Sequence, residues 1–242
     1  KRLQSTDLNS RLTTDIKTYM KKLFAALLGL TLSGATAVAQ PNVAPDSLDA
    51  MGCMKLRECT EDVITITDVS QFIDNHGHFW ADDDIEEIQQ LIEGLTDVGV
   101  EVYVGHDRYF PPNHRGLYYT DVNRMFLNEW HMRDSIALIE VLRHEAWHAA
   151  QDCMAGTIDN SLIAIVFNDE VIPSNIKVLT EARYGMIARA AIPWEQEAFY
   201  AATQTNMTVK ALNACAAGNM WETYQPTPMT REWLVENNFI KS

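Results

Sequence analysis

In the stretch "DDDIEEIQQLIEGLTDVG", Ile85, Ile88, Leu91, Ile92 and Leu95 fall three and four apart, with aspartates in front and a glycine behind. That spacing predicts an amphipathic helix whose first turn carries the charge its dipole favours. Val63 to Ile66 before it and "VEVYVG" after it are short runs rich in β-branched residues, and both read as strands. "DRYFPPNHRG" cannot extend the second strand, because two successive prolines remove ladder donors, so it reads as a loop. "GLYYTDVNRMFLNEW" holds two β-rich runs around Thr120, Asp121, Val122 and Asn123, which is the pattern of a hairpin.

Asp134 and Ser135 then offer an N-cap to the helix "IALIEVLRHEAWHAAQD". From Thr157 to Val178 the pattern weakens, and "SLIAIVF" fits either a buried strand or a helical segment. Helical spacing resumes from Leu179 to Arg189 and in "WEQEAFYAATQ", where Pro193 suits the first helical position. It continues in "VKALNACAA", between a capping Thr208 and Gly218, and Thr230 caps a last short helix, "REWLVENN". The elements add up to an α+β fold: a small mixed or antiparallel sheet, one long central helix and a C-terminal helical part. Neither repeat nor linker interrupts residues 50–242, so residues 40–242 read as a single domain with its core at about 63–218.

The N-terminus changes which residues belong to that domain. Met20, Lys21 and Lys22 lead into "LFAALLGLTLSGATAVA", and Ala37-Val38-Ala39 has the small-x-small form of a cleavage site before Gln40. Residues 20–39 therefore read as a signal peptide, and residues 1–19 as a gene-model extension ahead of its start. The apolar run is short for a bilayer, so the chain left after cleavage is expected to be secreted or periplasmic, with no membrane span. Of the 19 basic and 33 acidic residues, residues 1–39 hold six and two, which leaves 13 against 31 and a formal charge of −18 on the remainder. Such a surface repels nucleic acid and anionic membranes, and nucleic acid is excluded as a partner.

Cys53, Cys59, Cys153 and Cys215 all lie in the exported part, and none forms a C-x-x-C knuckle. An even count behind a signal peptide points to disulfides. Cys53 and Cys59 share one loop-like segment, whereas Cys153 closes the long helix and Cys215 lies in a later one. The expected pairs are Cys53–Cys59 and Cys153–Cys215.

The candidate chemistry lies in "VLRHEAWHAAQDC", where His144, Glu145 and His148 spell His-Glu-x-x-His. Residues four apart on a helix lie one above the other, so the two imidazoles can reach one ion about 2.0–2.1 Å from each. Glu145 is turned by about 100° from His144 and stands beside the ion, where a base is needed. Ile136, Leu138, Ile139, Val141 and Leu142 make the N-terminal half of this helix apolar almost all round, and Ala137, Val141, His144 and His148 form one stripe. Polar groups continuing a buried stripe need a partner, and a metal ion supplies one.

The order strand, irregular loop, hairpin and His-Glu-x-x-His helix resembles the zincin metallopeptidases over roughly residues 99–205. The resemblance implies a bound zinc ion, a peptide or protein substrate laid along the hairpin edge by strand addition, and hydrolysis by a zinc-bound water with Glu145 as general base. After His148 the chain runs "AAQDCMAG" and lacks the third histidine of H-E-x-x-H-x-x-G-x-x-H, which excludes the metzincins. "PWEQEAFYAA" instead resembles the E-x-x-A segment of the gluzincins, which implies a third ligand from a downstream helix. Phe199 stands where many such families carry Asp, and no particular family is assigned. Glu195 matches E-x-x-A in register and carries Ala198, Phe199 and Ala202 along its face. Glu197, with Tyr200, Ala201 and Gln204, is the alternative ligand, or else an exposed first-turn carboxylate, and Glu181 is a distant third.

Several groups stay open at this level. His106, His114, His131, Tyr119, Tyr184 and Tyr200 are candidates for stabilising an oxyanion. His76 and His78 read as part of a polar loop before a second metal site. Two other functions share the same residues: an amidase acting on cell-wall peptide cross-links, and a non-catalytic exported binding module retaining a zincin fold. Retention of both histidines and Glu145 favours an enzyme.

Overall fold

The structure, a computed structural model, describes residues 48–59, 61–76, 80–156, 158–159, 161–167, 169–186 and 188–224. The expected signal peptide, the helix expected after Thr230, His78 and the side chain of His76 lie outside the described residues. In chain order the elements are α1 (Leu48–Lys55), β1 (Val63–Ile66), α2 (Ser70–His76), α3 (Asp82–Asp97), β2 (Glu101–Gly105), β3 (Gly116–Tyr119), β4 (Arg124–Asn128), α4 (Ser135–Met154), α5 (Ser174–Tyr184), α6 (Ile192–Ala202), α7 (Met207–Ala216) and α8 (Met220–Thr223).

The four strands form one mixed sheet in the order β1-β2-β4-β3. β1 runs antiparallel to β2, β2 parallel to β4, and β3 antiparallel to β4 with Gly116 opposite Leu127 and Tyr118 opposite Met125. The hairpin turn lies at Thr120–Asn123, as the turn chemistry implied, with Asn123 at φ 51°. β4 thus folds back between its own hairpin partner and β2, which leaves β3 as an edge strand. Side chains alternate across the sheet. Val102, Met125, Leu127 and Tyr118 join the main core, while Tyr103, Leu117, Tyr119 and Phe126 pack with Met54, Tyr109 and Phe110 on the other face.

The main core is built where α3, α4 and α7 meet that first face. Ile88, Leu91, Ile92 and Leu95 of α3 are fully buried, and so are Leu138, Leu142, Ala146 and Ala149 of α4. Burying each of these leucines and isoleucines contributes roughly 1.5–3 kcal/mol. α4 begins as expected at Asp134, whose side chain accepts the N–H groups of Ile136 and Ala137. Arg143 holds the middle of α4 in place: its guanidinium donates to Glu87 of α3 at 2.7 and 2.6 Å and to the Ala202 carbonyl at 3.2 Å. The hydroxyl of Thr208 donates to the Arg143 carbonyl at 3.1 Å.

Three expectations need correction. Thr208 is not a cap: α7 starts at Met207 behind Asn206 in the left-handed region (φ 60°), and Thr208 faces inward on α4. The helix expected at Leu179–Arg189 is Ser174–Tyr184, because Pro173 precedes its first turn with φ already fixed and the chain leaves the helix at Gly185. "SLIAIVF" is neither strand nor helix. It runs without regular structure and buries Leu162, Ala164 and Val166, and its N–H groups bind helical partners: Ala164 donates to the Gln151 carbonyl, Val166 and Phe167 to the Glu197 carboxylate.

Candidate metal centre

α4 presents His144 and His148 on one face, with ring centroids 5.1 Å apart, and α6 lies against it. The approach is close because α6 turns small residues toward α4, with Ala198 and Ala201 fully buried. Glu195 then reaches both histidines. Its Oε2 lies 3.3 Å from His144 Nε2 and its Oε1 3.7 Å from His148 Nε2. One donor atom from each of the three residues fits within a mutual 4.8 Å. Ligands on a tetrahedral zinc ion stand about 3.3–3.4 Å apart, so small shifts would close the set around a cation. The three side chains keep 13–15 % of their surface exposed, so a small molecule can reach them.

Glu195 Oε2 is buried, and among the described residues no hydrogen bond satisfies it. Two imidazoles and a carboxylate with an unsatisfied buried oxygen can hold a metal ion. Burial would raise the Glu195 carboxyl, but the imidazoles of His144 and His148 and the Tyr184 hydroxyl outweigh it and hold the group at about 2. Burial lowers His144, yet Glu195 and Glu145 reverse the sign and leave it raised; for His148 burial prevails and the imidazole is lowered. Phe199 lays its ring against His144 at 4.6 Å, and the guanidinium of Arg183 lies 5.1 Å over the same ring. The position after Ala198 therefore covers the first histidine with an apolar ring.

Glu145 points to the sheet side of α4, toward β3. A Cβ on Gly116 would lie 2.8 Å from both Glu145 Cγ and Val141 Cγ1, so only glycine lets the edge strand come this near. The backbone of Tyr118 lies beside the Glu145 carboxyl and opposes the effect of its burial. Burial pushes that carboxyl up to about 7, helped by Glu195 and opposed by His144.

Of the open candidates, Tyr184 stands at the site: burial, followed by the nearby Glu195 carboxylate, raises its hydroxyl far above the ordinary phenol range. Tyr119 packs on Phe126 across the sheet, and Tyr200 lies against Phe167. His106 faces Glu129, and His114 is exposed on its loop. Burial lowers His131, beside Arg115 and Asp107. Glu197 corrects the expectation of an exposed first-turn carboxylate: it is 1 % exposed and bonded on all sides. Glu181, half-exposed, faces Arg189.

Sequence reasoning passed over Gln151. Its amide oxygen meets His148 Nδ1 at 2.8 Å, and its position three residues after His148 on one helix was the available signal. Both expected disulfides, Cys53–Cys59 and Cys153–Cys215, are formed. A groove of about 700 Å³ between α3 and α4, lined by Asp84, Glu87, Ile136, Glu140 and Arg143 among others, includes none of the three clustered residues. The buried polar groups mark the site more clearly than concavity does.

No family model, curated protein or solved structure matches the chain. The functional reading accordingly stands on the residues and their geometry.

Proposed function

We propose that the chain is an exported zinc-dependent hydrolase of peptide bonds with a zincin-like arrangement, in which His144, His148 and Glu195 hold the metal and Glu145 is the general base. The observation that carries this reading is the Glu195 carboxylate between the two Nε2 atoms of a His-Glu-x-x-His helix. Zinc fits the donor set, which is nitrogen and oxygen with no thiolate, because all four cysteines are paired. A zinc ion held there supplies Lewis acidity and brings the pKa of a coordinated water near 7.

The protein's own groups carry the rest. The Glu145 carboxylate accepts a proton from the attacking water and delivers it to the departing amine nitrogen. A carboxyl held at about 7 can both take and return that proton near neutrality. Tyr184 reaches the cluster from α5 and can donate to an oxygen on which negative charge develops. Among the described residues no strand pairs with the outer side of β3, which adjoins Glu145 through Gly116, and an extended peptide can pair there. The two disulfides are compatible with an oxidising compartment, and among the described residues no helix is long and apolar enough to cross a membrane.

The test is digestion of a broad peptide library by the purified protein with and without a zinc chelator. Chelator-sensitive cleavage that zinc restores supports the reading. Turnover of cross-linked cell-wall peptides alone would select the amidase form, and no cleavage with zinc bound would reduce the protein to a binding module.

A further inference from the structure

We propose that Glu197 is a positioning residue for His148, acting through Gln151: the buried carboxylate fixes the orientation of the amide, and the amide fixes which nitrogen of the imidazole carries the proton. The inference deepens the metal reading and rests on it.

Glu197 is 1 % exposed and Gln151 fully buried, so neither exchanges its partners for water. The donors and acceptors leave one arrangement. Gln151 Nε2 faces two oxygens, the Trp194 carbonyl at 3.1 Å and Glu197 Oε2 at 2.8 Å. Turning the amide over would place its oxygen against both, with no proton between, so Oε1 must face His148 Nδ1, 2.8 Å away. An amide oxygen only accepts. In the neutral imidazole Nδ1 of His148 therefore carries the proton, and its Nε2 presents a lone pair on the side of Glu195.

Glu197 is suited to hold that amide because it only accepts. Val166 N–H donates to its Oε2 at 3.1 Å, Trp147 Nε1–H to the same oxygen at 3.4 Å, and Phe167 N–H to its Oε1 at 2.5 Å. With the Gln151 amide, four N–H groups converge on one carboxylate. A carboxamide in its place would turn a donor toward at least one of them. α6 thus serves His148 from both sides, since Glu195 and Glu197 are about 200° apart around the helix axis. Glu195 approaches Nε2 directly, and Glu197 supports Nδ1 from behind through Gln151. The same carboxylate pins the irregular segment 161–167, which ties the packing of that segment to the orientation of a metal ligand.

The test measures zinc affinity by competition with a chelator and, separately, the His148 tautomer by nitrogen-15 NMR of the metal-free full chain. Gln151→Met removes the acceptor at little change in volume, and Glu197→Gln removes the anion. Each is expected to weaken zinc by about 10–100-fold and to leave His148 a mixture of tautomers. Trp147→Phe removes one donor to Glu197 without touching Gln151 and should keep both wild-type values. If Glu197→Gln does not fold, Glu197→Asp, which withdraws the carboxylate by one methylene, must show the same mixed tautomer. An unchanged His148 tautomer in folded Gln151→Met, or a tautomer shift in Trp147→Phe equal to that in Glu197→Gln, would overturn the proposal. If the wild type binds no zinc, the metal reading fails, while the tautomer in the metal-free protein still decides the positioning role.

Discussion

Neighbouring residues on α4 are set apart by what each side chain faces. His144 and His148 face the carboxylate of α6, whereas Glu145, one position from His144, faces the edge strand at Gly116. If Glu145 is the base and not a ligand, Glu145→Gln should keep stoichiometric zinc while hydrolysis falls by about a hundredfold or more. His144→Ala should lose both. Zinc content and peptide turnover measured on the same preparations check the pair, and loss of zinc from Glu145→Gln would overturn its role. The motif was legible because the helical period alone brings i and i+4 together. The burial of Glu197 was not, since its donors come from Trp147, Gln151, Val166 and Phe167, none of them near it in sequence.

At the scale of elements, the contact of β3 with α4 holds a second buried carboxyl. Tyr118 donates to Asp152 Oδ2 at 2.9 Å and lies 3.3 Å from Asn123 Oδ1, while Asp152 Oδ1 is buried with no hydrogen bond among the described residues. Burial pushes Asp152 up to about 8; the Tyr118 bond opposes the shift and Asp159 adds to it. In the unfolded chain an aspartate titrates near 3.9. A carboxyl raised on folding contributes stability that is fully present below the unfolded value and is lost as pH rises through the folded one. The wild type should therefore lose stability between about pH 4 and pH 8, and Asp152→Asn should lose less, a difference on the order of 5–10 °C in Tm by pH 8.5. Thermal melts of both proteins at pH 5 and pH 8.5 measure it, and parallel pH profiles would contradict it. The hairpin behind this contact was readable from its turn residues. The insertion of β4 beside β2 was not, because strand order depends on pairing between distant segments, and α5 was displaced because Pro173 was not read as its start.

Across the whole molecule α4 is the shared wall, packed by α3, α6, α7 and β3. Its C-terminal end is tied to α7 by Cys153–Cys215, across 62 residues that include Glu195 and Glu197. Closing a loop of that length restricts the unfolded chain by about 4 kcal/mol in the loop-entropy model. Replacing both cysteines with alanine should lower unfolding free energy by up to about that amount and weaken zinc, whereas opening Cys53–Cys59, which spans six residues and packs with Met54 and Phe126 on the other face of the sheet, should leave zinc affinity unchanged. Denaturant melts and zinc titration separate the two bridges. The α+β class and the two pairings were legible in the periodicity and the placement of cysteines; the route of residues 161–167 was not, because its hydrogen bonds go to a helix side chain and a helix carbonyl.

In the proposed function α4 and α6 together build one metal centre. Anomalous diffraction at the zinc edge from crystals of the zinc-loaded protein tests it most directly. One ion is expected about 2.0–2.2 Å from His144 Nε2, His148 Nε2 and a Glu195 carboxylate oxygen, with Glu145 beside it and Glu197 uncoordinated. An ion bound elsewhere, or one coordinated by Glu197 in place of Glu195, would contradict it.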